Sequence, residues 1–253
     1  HVNRAHANPG PFSVASPSFS AILYELPTGS ATIMRHLRIA LVATILAISP
    51  GARAEAPDPD PGRFAAFIAT FGDWDRQNAA PDDPYLFVGS SSIRMWSTAM
   101  AFPGKPVINR GFGGSEISDV IHFFDQVVRP YQPKKIFLYA GDNDIGRGKP
   151  PAQVVDDYLE FAAMVDDALP DAMLYFISIK PSDLRWQHWP AMMEANQLIR
   201  EHSATHDNLG YVDLASPLLD ENGQTKDVFI EDGLHLNEFG YALWQQAMLP
   251  YLE

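Results

Sequence analysis

The chain has 253 residues, and 46% of them are hydrophobic, which is enough to bury one sizeable core. Its net charge is −13 and its few basic residues are scattered, which argues against nucleic acids and anionic membranes as partners. Because the sequence contains no cysteine, disulfides, thiolate metal ligands and cysteine nucleophiles are excluded. Any nucleophile must therefore be an oxygen or a nitrogen.

The first 54 residues are not expected to belong to the fold. From Met34, a basic stretch precedes the apolar run 39–48 and the Ala-x-Ala sequence at 52–54, which is typical of a secretory signal peptide cut after Ala54. The alternative is a buried helix. The apolar run is too short to span a bilayer, so we expect no stable membrane anchor after cleavage and a secreted or periplasmic protein. Residues 1–33 lack periodicity and are interpreted as a disordered upstream segment.

The rest of the chain, 55–253, predicts a single domain with its core at 84–253. In residues 55–62 prolines alternate with acidic residues, which predicts a leader without a helix. Short, nearly continuous apolar runs then predict strands buried on both faces, at 85–88, 106–108, 135–140, 173–179 and 210–214. Helical patterns lie at 117–128, 152–169, 192–206 and 238–249. This alternation predicts a three-layer α/β/α fold with about five parallel strands.

Polar residues follow these strands at their carboxyl ends, where parallel sheets bind ligands. The first strand leads into Gly-Ser-Ser-Ser at 89–92, the second into Asn-Arg-Gly-Phe-Gly-Gly at 109–114 and the third into Gly-Asp-Asn-Asp at 141–144. After the last strand come Asp232 and His235. A serine nucleophile needs a histidine base, which a carboxylate orients, and this pair has suitable spacing. An isolated Asp-x-x-His is more often an ordinary helix-entry loop, so only the combination points to catalysis.

Acyl transfer also requires donors for an oxyanion. The glycines at 111–114 allow backbone amides to approach closely, and Asn143 offers a side-chain NH2 group on the next strand end. Taken alone, the Gly-rich block is more often a simple connection between a strand and a helix, and Asn143 alone could be a turn residue.

Together, the ordered blocks resemble the SGNH hydrolase superfamily, which includes the GDSL esterases and lipases. The resemblance covers residues 85–253 and implies a flavodoxin-like three-layer fold. It implies Ser91 as nucleophile, His235 as base and Asp232 as the residue that orients it. It also implies that the amides of Ser91 and Gly114 and the side chain of Asn143 stabilise the oxyanion.

The first block departs from the family pattern at one position. Where the family usually has aspartate after the first glycine, this chain has Ser90, which indicates a different subgroup and weakens analogies about the substrate. Ser90 and Ser92 are expected to point away from the reacting centre and to cap a helix that starts near Ile93.

The resulting hypothesis is a serine esterase that forms an acyl-Ser91 intermediate without a cofactor. Its expected partner is a small-molecule ester, either a short-chain acyl ester or an acetylated sugar. A carbohydrate O-deacetylase or an acyltransferase would use the same residues. A non-catalytic carbohydrate-binding envelope protein would retain only the fold. The oligomeric state is left open.

Two further features have open or weak interpretations. Residues 142–146 resemble the start of a calcium loop, but Gln153 stands where the loop requires glutamate, which argues against a metal site. Trp186, His188 and Trp189 follow the fourth strand and either wall a substrate pocket or cover the core.

Overall fold

Five parallel strands form the centre of the structure, a computed structural model that describes residues 55–253. The strands are β1 Tyr85–Gly89, β2 Val107–Gly111, β3 Lys135–Tyr139, β4 Met173–Ile177 and β5 Leu209–Val212, in the order β2-β1-β3-β4-β5. All neighbouring pairs are parallel. The predicted sheet is confirmed, with strand ends that differ by a few residues. The predicted signal peptide and upstream segment lie outside the described residues.

Helices cover both faces of this sheet. In chain order they are α1 Ala65–Asp75, α2 Ser91–Arg94, α3 Thr98–Ala101, α4 Ile117–His122, α5 Phe124–Val127, α6 Asp142–Gly146, α7 Pro151–Ala168, α8 Trp189–Ser203 and α9 Glu238–Met248. Successive strand residues point to opposite faces, so Leu86 and Val88 pack into one core and Phe87 packs into the other. Helices α4, α5, α7 and α8 cover the first core, and α9 covers the second. The three-layer α/β/α fold is therefore confirmed.

The single helix predicted at 117–128 is wrong, because the chain forms α4 and α5 with a break at Phe123. Phe123 and Phe124 are adjacent and both buried. Phe123 packs edge-on against Phe112, whereas Phe124 packs against Phe161 on α7. Two neighbouring side chains on one regular helix point about 100° apart, so the break lets each ring reach its own partner.

The helix-free leader predicted at 55–62 ends two residues early, at Asp60, and no element was predicted between residues 63 and 83, where the structure has α1. A 3-10 helix, Pro61–Phe64, leads directly into α1, and Ile68 is buried in the first core. Proline at the first position suits a helix start, and the Asp60 carboxylate accepts a hydrogen bond from the Gly62 amide. The sequence signal of α1 is weak because Ile68 is its only fully buried residue. No helix within residues 55–253 is long and apolar enough to cross a bilayer.

Candidate active site

The candidate site lies where the strand order reverses. Strands β1 and β3 are neighbours in the sheet, whereas β2, which lies between them in sequence, pairs on the other side of β1. Sheets of this order bind ligands at that reversal, beyond the carboxyl ends of the strands. Ser91 follows β1, Gly114 follows β2 and Asn143 follows β3. The topology thus brings three separate sequence blocks to one edge.

A sharp turn places Ser91 at the start of α2. Gly89 ends β1 with a φ of +128°, and a Cβ atom there would lie 1.9 Å from the Tyr139 carbonyl oxygen, so only glycine fits. Ser91 is the first residue of α2, and its amide therefore has no acceptor within the helix.

The expected capping of α2 by Ser90 and Ser92 is wrong. The helix begins at Ser91, earlier than predicted, and Ser92 is buried inside it. Ser90 occupies the N-cap position, but its buried hydroxyl makes no side-chain capping bond and has no hydrogen-bond partner within residues 55–253. Helix α2 is instead held by Asn109 on β2, whose side-chain amide donates to the carbonyls of Ile93 and Trp96.

A hydrogen-bonded chain connects Ser91 with the loop before α9. His235 Nε2 lies 2.9 Å from Ser91 Oγ, and His235 Nδ1 lies 2.6 Å from Asp232 Oδ2. The other carboxylate oxygen of Asp232 accepts hydrogen bonds from the backbone amides of Leu234 and His235. Asn237, as its sequence position suggests, caps α9 by accepting a hydrogen bond from the Gly240 amide. The structure therefore brings Ser91, His235 and Asp232 together in line.

The environment of Asp232 keeps its carboxylate ionised. Partial desolvation raises its pKa, but the hydrogen bonds from the His235 ring and from the backbone amides of His235 and Leu234 outweigh it and lower the pKa to about 2. At neutral pH a fixed negative charge thus faces His235 Nδ1. This arrangement holds a proton on Nδ1 and leaves Nε2 as the acceptor towards Ser91.

Asn143 sits in α6 with its side-chain amide held from both ends. Its NH2 group donates to the Ser115 carbonyl at 2.9 Å, and its oxygen accepts a hydrogen bond from Arg185 Nη2 at 3.0 Å. Arg185 is itself paired with Asp142, the preceding residue of the helix. These contacts fix the orientation of the amide. Sequence reasoning missed Arg185, because it lies 42 residues away and no local pattern connects the two positions.

A cavity of about 390 Å³ opens over these groups. Its lining consists of Phe64, Phe67, Ser91, Arg94, Gly113, Gly114, Asn143, Leu234 and His235. The five predicted site residues are thus close together, and all except Asp232, which lies behind His235, line the cavity. Gly114 has a φ of +84° and open space where a Cβ would lie.

The walls of the cavity differ from the sequence hypothesis. Trp189 is buried in the core and Trp186 packs against that core, so the interpretation of these rings as core cover is correct. The aromatic walls are Phe64 and Phe67, which come from residues 63–83, where no element was predicted from the sequence. Two aromatic residues at a helix entry are a weak signal, which becomes specific only once the segment is seen to pack beside the site.

Lysine 180 supports the loop that carries Asp232 and His235. The side chain of Lys180 is fully buried, and its Nζ donates to the Leu234 carbonyl at 2.6 Å. It lies 5.4 Å from the centre of the Phe229 ring. Burial lowers the pKa of Lys180 to about 8, although the carboxylates of Asp142 and Asp232 act in the opposite direction. This support was not predicted from sequence.

The acidic block 142–146 is a helix and not a calcium loop. Asp144 is fully buried, accepts a hydrogen bond from the Ile117 amide and faces Lys149 Nζ at 3.4 Å. Within residues 55–253, no group of three or more histidines, aspartates and glutamates could hold a metal ion. One carboxylate oxygen of Asp142 pairs with Arg185 and one of Asp144 with Lys149, whereas the second, buried oxygen of each has no hydrogen-bond partner within residues 55–253.

Comparison with known proteins agrees with this fold. The sequence profile of the GDSL-like lipase/acylhydrolase family matches residues 89–243, which is more than half of the chain. The chain therefore belongs to this family of SGNH hydrolases, whose members are ester hydrolases of the esterase and lipase type, and the resemblance predicted from the sequence blocks is confirmed. No curated protein matches the chain in sequence.

Several solved structures share the fold. A protein from Streptococcus pneumonia described as a platelet activating factor is 24% identical, with a TM-score of 0.67 over 75% of this chain and 92% of that chain. A GDSL-like lipase from Bacteroides thetaiotaomicron is 17% identical, with a TM-score of 0.61 over 76% and 97%. A carbohydrate esterase family 3 protein from Talaromyces cellulolyticus is 15% identical, with a TM-score of 0.54 over 67% and 95%.

Proposed function

We propose that this family member is a serine esterase that hydrolyses small carboxylic esters through an acyl-Ser91 intermediate. The observation that carries the proposal is the hydrogen-bonded chain from Ser91 Oγ through the His235 ring to Asp232. Serine is a weak nucleophile, and an imidazole at 2.9 Å that is oriented by an ionised carboxylate is the arrangement that activates it.

In the acylation step, His235 Nε2 takes the proton from Ser91 Oγ as that oxygen attacks the ester carbonyl carbon. The developing oxyanion is stabilised by the amides of Ser91 and Gly114 and by the Asn143 side chain, whose NH2 group has a second hydrogen besides the one given to Ser115. The tetrahedral intermediate collapses, the C–O bond to the alcohol breaks, and His235 returns the proton to the leaving alkoxide.

In the deacylation step, His235 removes a proton from water, and the resulting hydroxide attacks the acyl carbon. The same donors stabilise the second oxyanion. The bond to Ser91 Oγ then breaks, the acid leaves, and Ser91 recovers its proton from His235. No group beyond these side chains and backbone amides is required, so no cofactor enters the scheme.

The cavity favours a small ester. A volume of about 390 Å³ with Phe64, Phe67 and Leu234 on its walls suits a short acyl chain. The described chain folds like a carbohydrate esterase family 3 protein, so removal of acetyl groups from sugars is the second candidate. An acyltransferase would use the same acyl-enzyme with an alcohol in place of water. The predicted signal peptide adds a secreted or periplasmic location to the proposal.

The serine assignment is tested with two variants of the same block. Ser91→Ala is expected to lower the hydrolysis of p-nitrophenyl acetate and butyrate by about 10³-fold or more, because the nucleophile is removed. Ser90→Ala is the matched control, since the Ser90 hydroxyl has no hydrogen-bond partner among the described residues and should keep nearly full activity. Thermal unfolding of each variant checks that the fold is intact.

Full activity in Ser91→Ala would contradict the assignment of Ser91 as the nucleophile. Labelling of the wild type, but not of Ser91→Ala, by a fluorophosphonate separates an esterase from a non-catalytic carbohydrate-binding protein, which would not react. Analysis of the products formed from acetylated sugars, with and without an added alcohol acceptor, separates hydrolysis from acyl transfer.

A further inference from the structure

Arg94 differs from the other arginines of the described chain. Ion pairs with carboxylates are made by Arg63, Arg76, Arg110, Arg129, Arg147 and Arg185. Arg200 lies over the ring of Tyr211. Within residues 55–253, only Arg94 has neither an ion pair nor an aromatic partner, and its side chain makes no hydrogen bond there. The fold therefore does not use the charge of Arg94.

The position of Arg94 places this unused charge beside the reacting centre. It is the last residue of α2 and follows Ser91 by three positions, so both side chains project from the same face of one helical turn. Its guanidinium lies over Gly113, where an added Cβ would be 3.1 Å from Nε and 3.4 Å from Nη2. Arg94 lines the cavity together with Ser91, Gly114 and His235.

The rest of the cavity offers no competing permanent charge. Phe64, Phe67 and Leu234 are apolar and Asn143 is neutral, so among the described lining residues Arg94 alone is charged at every working pH. Arg94 is exposed to solvent, so an ion pair with it would form beside the apolar walls and remain sensitive to added salt. The chain as a whole carries a charge of −13, which repels anions. The guanidinium of Arg94 therefore places a positive charge at the cavity of an otherwise acidic protein.

We propose that Arg94 binds an anionic group of the substrate, a carboxylate or a phosphate, so that the esters hydrolysed best carry a negative charge near the ester bond. The planar guanidinium presents paired N–H donors that match the oxygens of such groups. This inference rests on the proposed function, because it assigns the substrate class of the same site.

Matched ester pairs test the proposal. On the alcohol side, 4-acetoxybenzoate and 4-acetoxyphenyl phosphate are compared with the neutral methyl 4-acetoxybenzoate. On the acyl side, mono-p-nitrophenyl adipate is compared with p-nitrophenyl hexanoate. The wild type is expected to prefer the anionic member of at least one pair in kcat/KM by about tenfold or more. The pair that shows the preference identifies whether the anion belongs to the alcohol or to the acyl group.

Arg94→Met removes the charge and keeps the length of the side chain. It is expected to abolish the preference, so that kcat/KM falls more for the anionic than for the neutral member of the pair, and Arg94→Lys should retain part of it because the charge remains without the planar fork. The preference should also shrink with added salt. Arg200→Met, which removes one arginine on α8, is the control and should leave the preference unchanged.

Two results would overturn the inference. One is an equal kcat/KM of the wild type for both members of every pair. The other is an equal loss of kcat/KM on charged and neutral esters in Arg94→Met. Either result leaves the proposed function standing as long as Ser91→Ala is inactive on the neutral esters. Thermal unfolding of Arg94→Met checks that the protein is folded.

Discussion

Two buried lysines, Lys149 and Lys180, have opposite electrostatic environments. The side chains of Lys149 and Lys180 are each about 1% exposed. Lys149 Nζ lies within 3.4 Å of carboxylate oxygens from Asp58, Glu116, Asp144 and Asp157. Lys180 has one close polar partner, the Leu234 carbonyl.

Burial alone lowers the pKa of both ammonium groups, and the number of nearby carboxylates decides the result. For Lys149 the effect of the carboxylates is larger than that of desolvation, so the pKa of the ammonium rises well above its usual range. For Lys180 desolvation wins, and the pKa falls to about 8. Lys149 is thus permanently charged, and through Asp58 it holds the segment before α1 against the rest of the domain. Lys180, by contrast, can lose its proton, and it contacts the loop that carries His235.

The largest expected effect comes from removing the charge of Lys149. Lys149→Met would leave the fully buried carboxyl of Asp144 without its cation and the nearly buried Glu116 with Arg147 alone, so we expect the free energy of unfolding to fall by about 3–5 kcal/mol. Urea denaturation at pH 7 measures it. Lys105→Met, which removes an exposed ammonium, is the control and should change stability little. A loss below about 1 kcal/mol in Lys149→Met would contradict the anchoring role.

The second prediction concerns the pH dependence of stability through Lys180. Its folded-state pKa of about 8 lies below the usual lysine value of about 10.4, so between these pH values the unfolded chain binds a proton that the folded chain has lost. The buried ammonium therefore destabilises the folded state fully below pH 8, and the free energy of unfolding should rise as the pH increases from 8 to 10.

Urea denaturation of the wild type and Lys180→Met at pH 7, 8, 9 and 10 measures this effect. The wild type should gain stability relative to the variant above pH 8, and Lys105→Met should follow the wild type. Parallel curves for the wild type and Lys180→Met would show that Lys180 does not titrate in this range. A neutral amine still donates an N–H to the Leu234 carbonyl, so the loop should keep its position at pH 9.

The contacts of Lys149 also show which parts of the structure could not be predicted from the sequence. The strands and the Ser91, Asn143 and His235 blocks have local patterns, because apolar runs and strand-end motifs are continuous in sequence. The partners of Lys149 include Asp58 and Glu116, which are far from it in the chain and have no shared periodicity. Such contacts arise only after the sheet has set the distances between loops.

The same reason explains why the cavity walls were not predicted. Helix α1 buries Ile68 alone, so its hydrophobic pattern is weak, and no helix was predicted there. Its position depends on long-range contacts, which include Lys149 with Asp58, Arg63 with Asp119 and the paired hydrogen bonds between Gln153 and the backbone of Ala56. These contacts place Phe64 and Phe67 on the cavity, so a segment with a weak hydrophobic pattern lines the candidate site.

The smallest expected effect tests that last connection. Asp58 is half exposed and is one of four carboxylates around Lys149, so Asp58→Asn should cost less than about 1 kcal/mol of stability. It should loosen the segment that carries Phe64 and Phe67, because it removes the charge that Lys149 holds there. We expect KM to change a few-fold more for p-nitrophenyl hexanoate than for the acetate, with kcat nearly unchanged, since longer acyl chains contact more of the wall.

Asp125→Asn is the matched control for this variant, because it removes a carboxylate from an exposed ion pair with Arg129 on the surface. It should leave the acyl-chain preference as in the wild type. If the KM of Asp58→Asn changes equally for all chain lengths, the segment that carries Phe64 and Phe67 does not take part in acyl recognition. A stability loss as large as that of Lys149→Met would instead mean that Asp58 is the dominant partner of Lys149, since the three remaining carboxylates would then fail to hold the buried ammonium.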